Sequence, residues 1–202
     1  MTDIVTGWTE CRATWNKGSQ GVLAQIQAIE SALPFVLRGF DCDNGSEFLN
    51  HHLVRYFTDH PDKPAFTRSR PYKKNDNAHV EQKNWTHARQ LFGYDRLDQA
   101  ELVSLMNEVY SALWCPLQNH FCPSLKLKEK YRNGAKYVKK YYPPQTPYQR
   151  TIDHPDVPEI NKTKLKEQHE QLNPFTIKAE IEQKLKVIFS LVTVTNNVRH
   201  RI

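Results

Sequence analysis

Cysteine is scarce in this sequence of 202 residues: only Cys11, Cys42, Cys115 and Cys122 occur, with no CxxC pair. A disulfide framework is therefore excluded as the basis of the fold, and a reduced, cytoplasmic setting is expected. Cys115 and Cys122 flank His120, but a fourth ligand at zinc spacing is missing, so they read as ordinary thiols. No apolar run approaches the roughly 18 residues that span a bilayer, and no basic segment followed by an apolar stretch opens the chain. No membrane partner is expected. Fixed-period repeats and low-complexity tracts are also missing, which excludes solenoids and disordered tails.

What is present is a composition of 39% hydrophobic and 25% charged residues, enough for one ordinary core and a small extra module. The net charge of +6 favours an anionic partner without choosing among DNA, RNA and a membrane.

The opening residues, Asp3 to Thr14, hold two β-prone runs broken at Thr6-Gly7 and read as a strand pair. Val22, Ile26, Ile29 and Leu33 recur at helical spacing until Pro34 stops them. Phe35 to Phe40 reads as a buried strand running into the acidic turn Asp41-Cys42-Asp43-Asn44-Gly45. A helix bearing Phe48, Leu49, Leu53, Tyr56 and Phe57 follows, then a short strand, Ala65-Phe66-Thr67, and a basic polar loop. Two more helices are expected, from about Ala78 to Leu91 before Gly93, and from Asp98, with Glu101 as capping partner, through Leu113. Lys126 to Lys140 is strongly basic and reads as a linker with Pro143-Pro144, and Thr146-Pro147 can open a short helix. Leu165 to Leu172 and Ile177 to Val192 repeat at helical spacing. The expected organisation is a core at 1–125, a basic linker at 126–150 and a small helical C-terminal appendage at 151–202.

Asp43 follows a predicted strand and Glu81 lies near a helix start, with 37 residues between them. Carboxylates so placed can hold two divalent cations, one activating an attacking oxygen and one stabilising a leaving oxygen in phosphodiester chemistry. Taken singly, Asp43 could be a plain β-turn residue and Glu81 a solvent-facing one. Asp41 and Glu47 read as turn and surface acids. His79 reads as a helix cap or as a group touching substrate.

Together these residues resemble a known family. Asp43-Asn44-Gly45-Ser46-Glu47-Phe48 looks like the second-aspartate motif of DDE transposases and retroviral-type integrases, and His79-Val80-Glu81-Gln82-Lys83-Asn84 like their catalytic-glutamate helix. Thr67 to Asn77 is similar to the loop before that glutamate, and the likeness covers roughly residues 2–150. It implies an α/β, RNase H-like mixed sheet flanked by helices, with Asp43 and Glu81 as catalytic metal ligands for Mg²⁺ or Mn²⁺. It also implies DNA cleavage and strand transfer on transposon ends and target DNA by a homo-oligomer.

In that family the first catalytic aspartate stands on the central strand, upstream of the hairpin matched here by Thr6 to Glu10, and Asp3 resembles the hairpin aspartate after it. The resemblance thus implies an N-terminally truncated core, lacking the first central strand and ligand, with impaired catalysis. A non-catalytic DNA-binding or transposase-assembly module, or a decayed fragment, is the alternative. Arg68, Arg70, Lys73, Lys74 and Lys83 cluster about the expected site and are read as phosphate contacts. Tyr72 and Trp85 could stack on unpaired bases or pack inside, the core being the expected place of Trp85. Lys126 to Lys140, with Tyr131, Tyr137, Tyr141 and Tyr142 interleaved, fits either a DNA backbone or plain solvation.

Overall fold

In the computed structural model the described residues are 1–16, 18–42, 51–68, 83–94, 97 and 99–199. They form a mixed α/β structure. Helix α1 (Ser19–Ala32) buries Ile26 and Ile29 and ends before Pro34, as the helical spacing predicts. Strand β1 is Gly39–Cys42, starting four residues later and ending two residues later than the expected Phe35 to Phe40. The displacement has a simple cause. β1 is buried on one face only, so the alternation that matters is Phe40 and Cys42 inward against Gly39 and Asp41 outward. The preceding apolar run is not a strand, and Val36 is 57% exposed.

Helix α2 (His51–Thr58) then crosses to β2 (Ala65–Arg68), which pairs with β1 in parallel, Gly39 opposite Ala65 and Cys42 opposite Arg68. Parallel neighbours need such a crossover, and here the helix covers one face of the pair. Phe57 of α2 stacks on Phe40 at 4.8 Å and on Phe66 at 5.3 Å between ring centroids, and Leu53 is fully buried beside them. The Tyr56 hydroxyl donates to the Glu30 carboxylate of α1, and His60 pairs with the same carboxylate at 2.7 Å.

The second and larger cluster is helical. Residues 83–92 form helix α3, which contains a π-helical segment (Trp85–Arg89) and a last turn (Gln90–Phe92) before Gly93 at φ +71°. Residues 100–121 form α4, α-helical over Ala100–Glu108 and Cys115–Phe121 with a π-helical middle (Val109–Trp114). Leu102, Val109 and Leu113 face inward as their spacing predicts, whereas the expected cap Asp98 lies outside the described residues.

The stretch 126–150, expected as a linker, holds an antiparallel hairpin of β3 (Leu127–Asn133) and β4 (Lys136–Tyr141). After it, α5 (Pro147–Asp153) opens on a capping box: Thr146 Oγ1 accepts from the Gln149 amide, and Gln149 Oε1 from the Thr146 amide. Helices α6 (Glu159–Gln171) and α7 (Pro174–Arg199) complete the chain's helical end. Ile177, Ile181, Ile188 and Val192 of α7 lie in one cluster with Leu102, Val109 and Leu113 of α4, so the C-terminal helices are built into the body. Among the described residues the strands make two separate two-stranded sheets. None of the described helices is long and apolar enough to cross a membrane.

Candidate functional site

Open α/β arrangements bind ligands off the carboxyl ends of their parallel strands, where the chain leaves the sheet and helix N-termini converge. In the β1–α2–β2 unit that end is marked by Cys42 beside Arg68. Asp43 follows Cys42 directly in the chain. Asp43 and Glu81, the expected metal ligands, lie outside the described residues, as do Arg70, Lys73 and Lys74. Arg68 and Lys83 are the described members of the expected set.

Arg68 is exposed, its guanidinium 5.8 Å from the Phe66 ring centroid. Asp41, expected in a turn, lies instead on β1 and accepts from the Thr67 hydroxyl of β2 at 2.7 Å. Lys83 is half-buried at the start of the described part of α3. Burial depresses its ammonium below the usual range; the Cys11 sulfur opposes this and the Arg150 guanidinium adds to it. A cation already desolvated and repelled by a second cation is one that an anion would relieve.

The inward face of α3 is carried by His87, Leu91 and Phe92, and Trp85 lies off it, half exposed, with its ring 6.1 Å from Tyr94. This corrects the expectation that Trp85 packs in the core. Arg89 in turn sits 5.1 Å from the Tyr94 ring centroid. His87 Nδ1 accepts from the Trp114 indole at 3.2 Å, so the ring's proton is on Nε2, a buried atom without a hydrogen-bond partner. Burial, helped by Lys83 and the N-terminal amine, pushes the His87 pKa down to about 4.

One short piece of chain, at the N-terminus, reaches both the β1–β2 cluster and the helix at 100–121. Residues 1–10 fold back on themselves: the Met1 amine donates to the Glu10 carbonyl at 2.7 Å, the Glu10 amide to the Met1 carbonyl at 2.9 Å, and Thr2 bridges Thr9. Met1 packs against the cluster of Ile26, Phe40, Cys42, Leu53 and Phe57. On the other side, the amides of Thr9 and Ala13 donate to the side-chain oxygens of Asn119 and Asn107, and the Cys11 amide to Cys115 Sγ at 3.3 Å. Residues 1–13 thus touch the β1–β2 cluster through Met1 and the helix at 100–121 through Thr9, Cys11 and Ala13.

Arg150, which the sequence reading did not single out, and Lys126, the first residue of the expected basic stretch, join this region. Arg150 donates to the Thr6 carbonyl at 3.0 Å, to Ser124 Oγ at 3.1 Å and to the Ser124 carbonyl. Lys126 donates to the carbonyls of Ile4 and Val5. The one signal in the sequence is the capped helix that presents Arg150; its carbonyl partners are set by tertiary packing. Among the described residues no group of three or more His, Cys, Asp or Glu side chains could hold a metal ion, and the four cysteines are free thiols.

The chain is 43% identical over 150 residues to an uncharacterized protein of Sinorhizobium fredii, y4rM, over 74% of this chain and 42% of that one. It thus spans less than half the length of the curated relative it matches. No protein-family profile matches the chain. No solved structure matches it.

Proposed function

We propose that the chain belongs to a DDE-type DNA transposition or integration protein with an RNase H-like core. Asp43 and Glu81 are its metal-ligating carboxylates, and transposon-end and target DNA its substrates. The observation that carries the reading is the parallel β1–α2–β2 unit whose carboxyl end leads in sequence into Asp43-Asn44-Gly45. In this reading a divalent cation, Mg²⁺ or Mn²⁺, supplies Lewis acidity at the phosphodiester. Arg68 and Lys83 bind the DNA backbone, Arg70, Lys73 and Lys74 extend that contact, and exposed Trp85 offers a stacking face to an unpaired base. A homo-oligomer would bring two DNA ends together.

The test uses Fe²⁺ in place of Mg²⁺, with ascorbate and peroxide, so that radicals cut the backbone near a bound ion. We expect cuts next to residue 43 and next to residue 81, both suppressed by Asp43→Asn and by Glu81→Gln, and both competed by Mg²⁺. Cutting at neither segment, or cutting insensitive to both substitutions, overturns the assignment. The basic hairpin favours a second reading, a non-catalytic DNA-binding or assembly module. Salt-dependent DNA binding without metal-directed cutting would select it.

A further inference from the structure

From residue 126 to residue 142 the chain holds seven basic residues and one acidic, a surplus equal to the whole chain's +6. All of it but the charge of Lys126 rides on the β3–β4 hairpin, every residue of which is exposed except half-buried Val138. At ~3.3 Å per residue, its seven-residue strand β3 reaches roughly 20 Å. The two-residue turn that closes it has Gly134 at φ +62°, a conformation natural to glycine at the first central position of a hairpin turn. Its root is fastened: Ser124 pairs with Gln145, Arg150 clasps Ser124 and Thr6, and Lys126 holds the Ile4 and Val5 carbonyls. The hairpin is thus an arm on a firm base.

Its two faces differ. Directly paired residues share a face, and successive residues alternate. Lys130 stands opposite Lys139 and Arg132 opposite Tyr137, so one face carries three cations and a tyrosine with no acid. Glu129 opposite Lys140, Tyr131 opposite Val138 and Asn133 opposite Lys136 make the other, where Lys140 reaches Glu129 at 3.3 Å. Like charges directly across a strand pair destabilise it, and Lys130 and Lys139 have no carboxylate on their face to relieve them. Lys130 instead lies 4.5 Å from the Tyr137 ring centroid.

We propose that this face, Lys130, Arg132, Tyr137 and Lys139, is a docking surface for duplex DNA, with the hairpin lying in the major groove. A two-stranded ribbon fits the B-form major groove, about 12 Å wide, whereas the A-form groove of duplex RNA is too deep and narrow for it. The cations meet phosphates on the groove walls, and the tyrosine faces the groove floor. The proposal takes from the preceding section only the identity of the partner as DNA. Its site is separate from Asp43 and Glu81, and its failure would leave the metal-directed cutting untouched.

The experiment compares the full chain with K130A/R132A/K139A and with K136A/K140A for binding to a short DNA duplex over a series of salt concentrations. The first variant should flatten the plot of log affinity against log salt by about 2–3, at ~0.9 per lost phosphate contact, and weaken binding roughly 10–100-fold near 0.1 M salt. The second should change the slope by less than about 1. Should the first variant unfold the arm, a benzophenone photocrosslinker at Tyr137 or Tyr131 serves instead, and crosslinks to DNA are expected from Tyr137 alone. Equal losses from the two faces, crosslinks from Tyr131 as strong as from Tyr137, or tighter binding to an RNA duplex or to polyglutamate would each overturn the proposal.

Discussion

Asn119 is 1% exposed, and both ends of its amide are spent on one backbone unit: Oδ1 accepts from the Thr9 amide at 2.8 Å, and Nδ2 donates to the Thr9 carbonyl at 2.9 Å. Thr9 itself is 4% exposed. Asn119→Ala removes both partners at once and leaves a buried donor and a buried acceptor, each costing about 1–3 kcal/mol when water cannot replace the lost group. The structure therefore sets a loss of about 2–5 kcal/mol, a large share of the ~5–15 kcal/mol that holds a domain folded. Asn107 makes the same pair of bonds to Ala13 at 2.7 and 3.1 Å, but both residues are half-buried and water can take its place. Asn107→Ala should cost only about 1 kcal/mol. Urea unfolding of the full chain, followed through tryptophan fluorescence, reads both losses as midpoint shifts at an unchanged m-value. A change in Asn119→Ala below about 0.5 kcal/mol, or a larger loss in Asn107→Ala, would refute the idea that these side chains complete the hydrogen bonding of the backbone at residues 9–13.

Acid should weaken the protein in a defined window. His87 and His120 are held neutral, each pushed down to about 4, His87 by burial, Lys83 and the N-terminal amine and His120 by burial and His169. The unfolded chain, titrating near 6.5, binds protons more tightly, so the stability present above about 6.5 drains away as pH falls toward about 4, by up to ~3 kcal/mol per histidine. Glu10, whose carboxyl burial raises, works in the opposite sense and blunts the acid end of the curve. Thermal melts at stepped pH check this, and a flat profile between about 6.5 and 4 contradicts it. Trp85→Ala should weaken single-stranded DNA binding by about 1–3 kcal/mol in fluorescence anisotropy while leaving duplex binding nearly unchanged. Arg150→Ala frees the arm's root and should cost about 1.5–3 kcal/mol, seen as faster proteolysis within 122–146.

Much of the element order could be read from spacing alone. Ile26 and Ile29 of α1, Leu53 and Phe57 of α2, and Leu102, Val109 and Leu113 of α4 all face inward where the helical period puts them. The hairpin escaped because neither face is buried. Its sequence has no apolar alternation, and only Asn133-Gly134 between Lys and Tyr residues hinted at a turn. Trp85 escaped for the converse reason: a large aromatic one helical turn past Glu81 suggests a core position, whereas the inward face belongs to His87, Leu91 and Phe92.

Local order was thus in the sequence: the order of the helices, which stripe of each is apolar, that a strand leads toward Asp43, and that positive charge gathers at 126–142. Those properties depend on near neighbours, and near neighbours are what a linear pattern records. Tertiary structure alone decided that Asn107 and Asn119 complete the backbone of residues 9–13, that α7 shares the core of α4, and that Arg150 ties the arm to Thr6. Each of these is a pairing across some 70 to 144 residues, chosen by which buried polar group or apolar stripe would otherwise go without a partner.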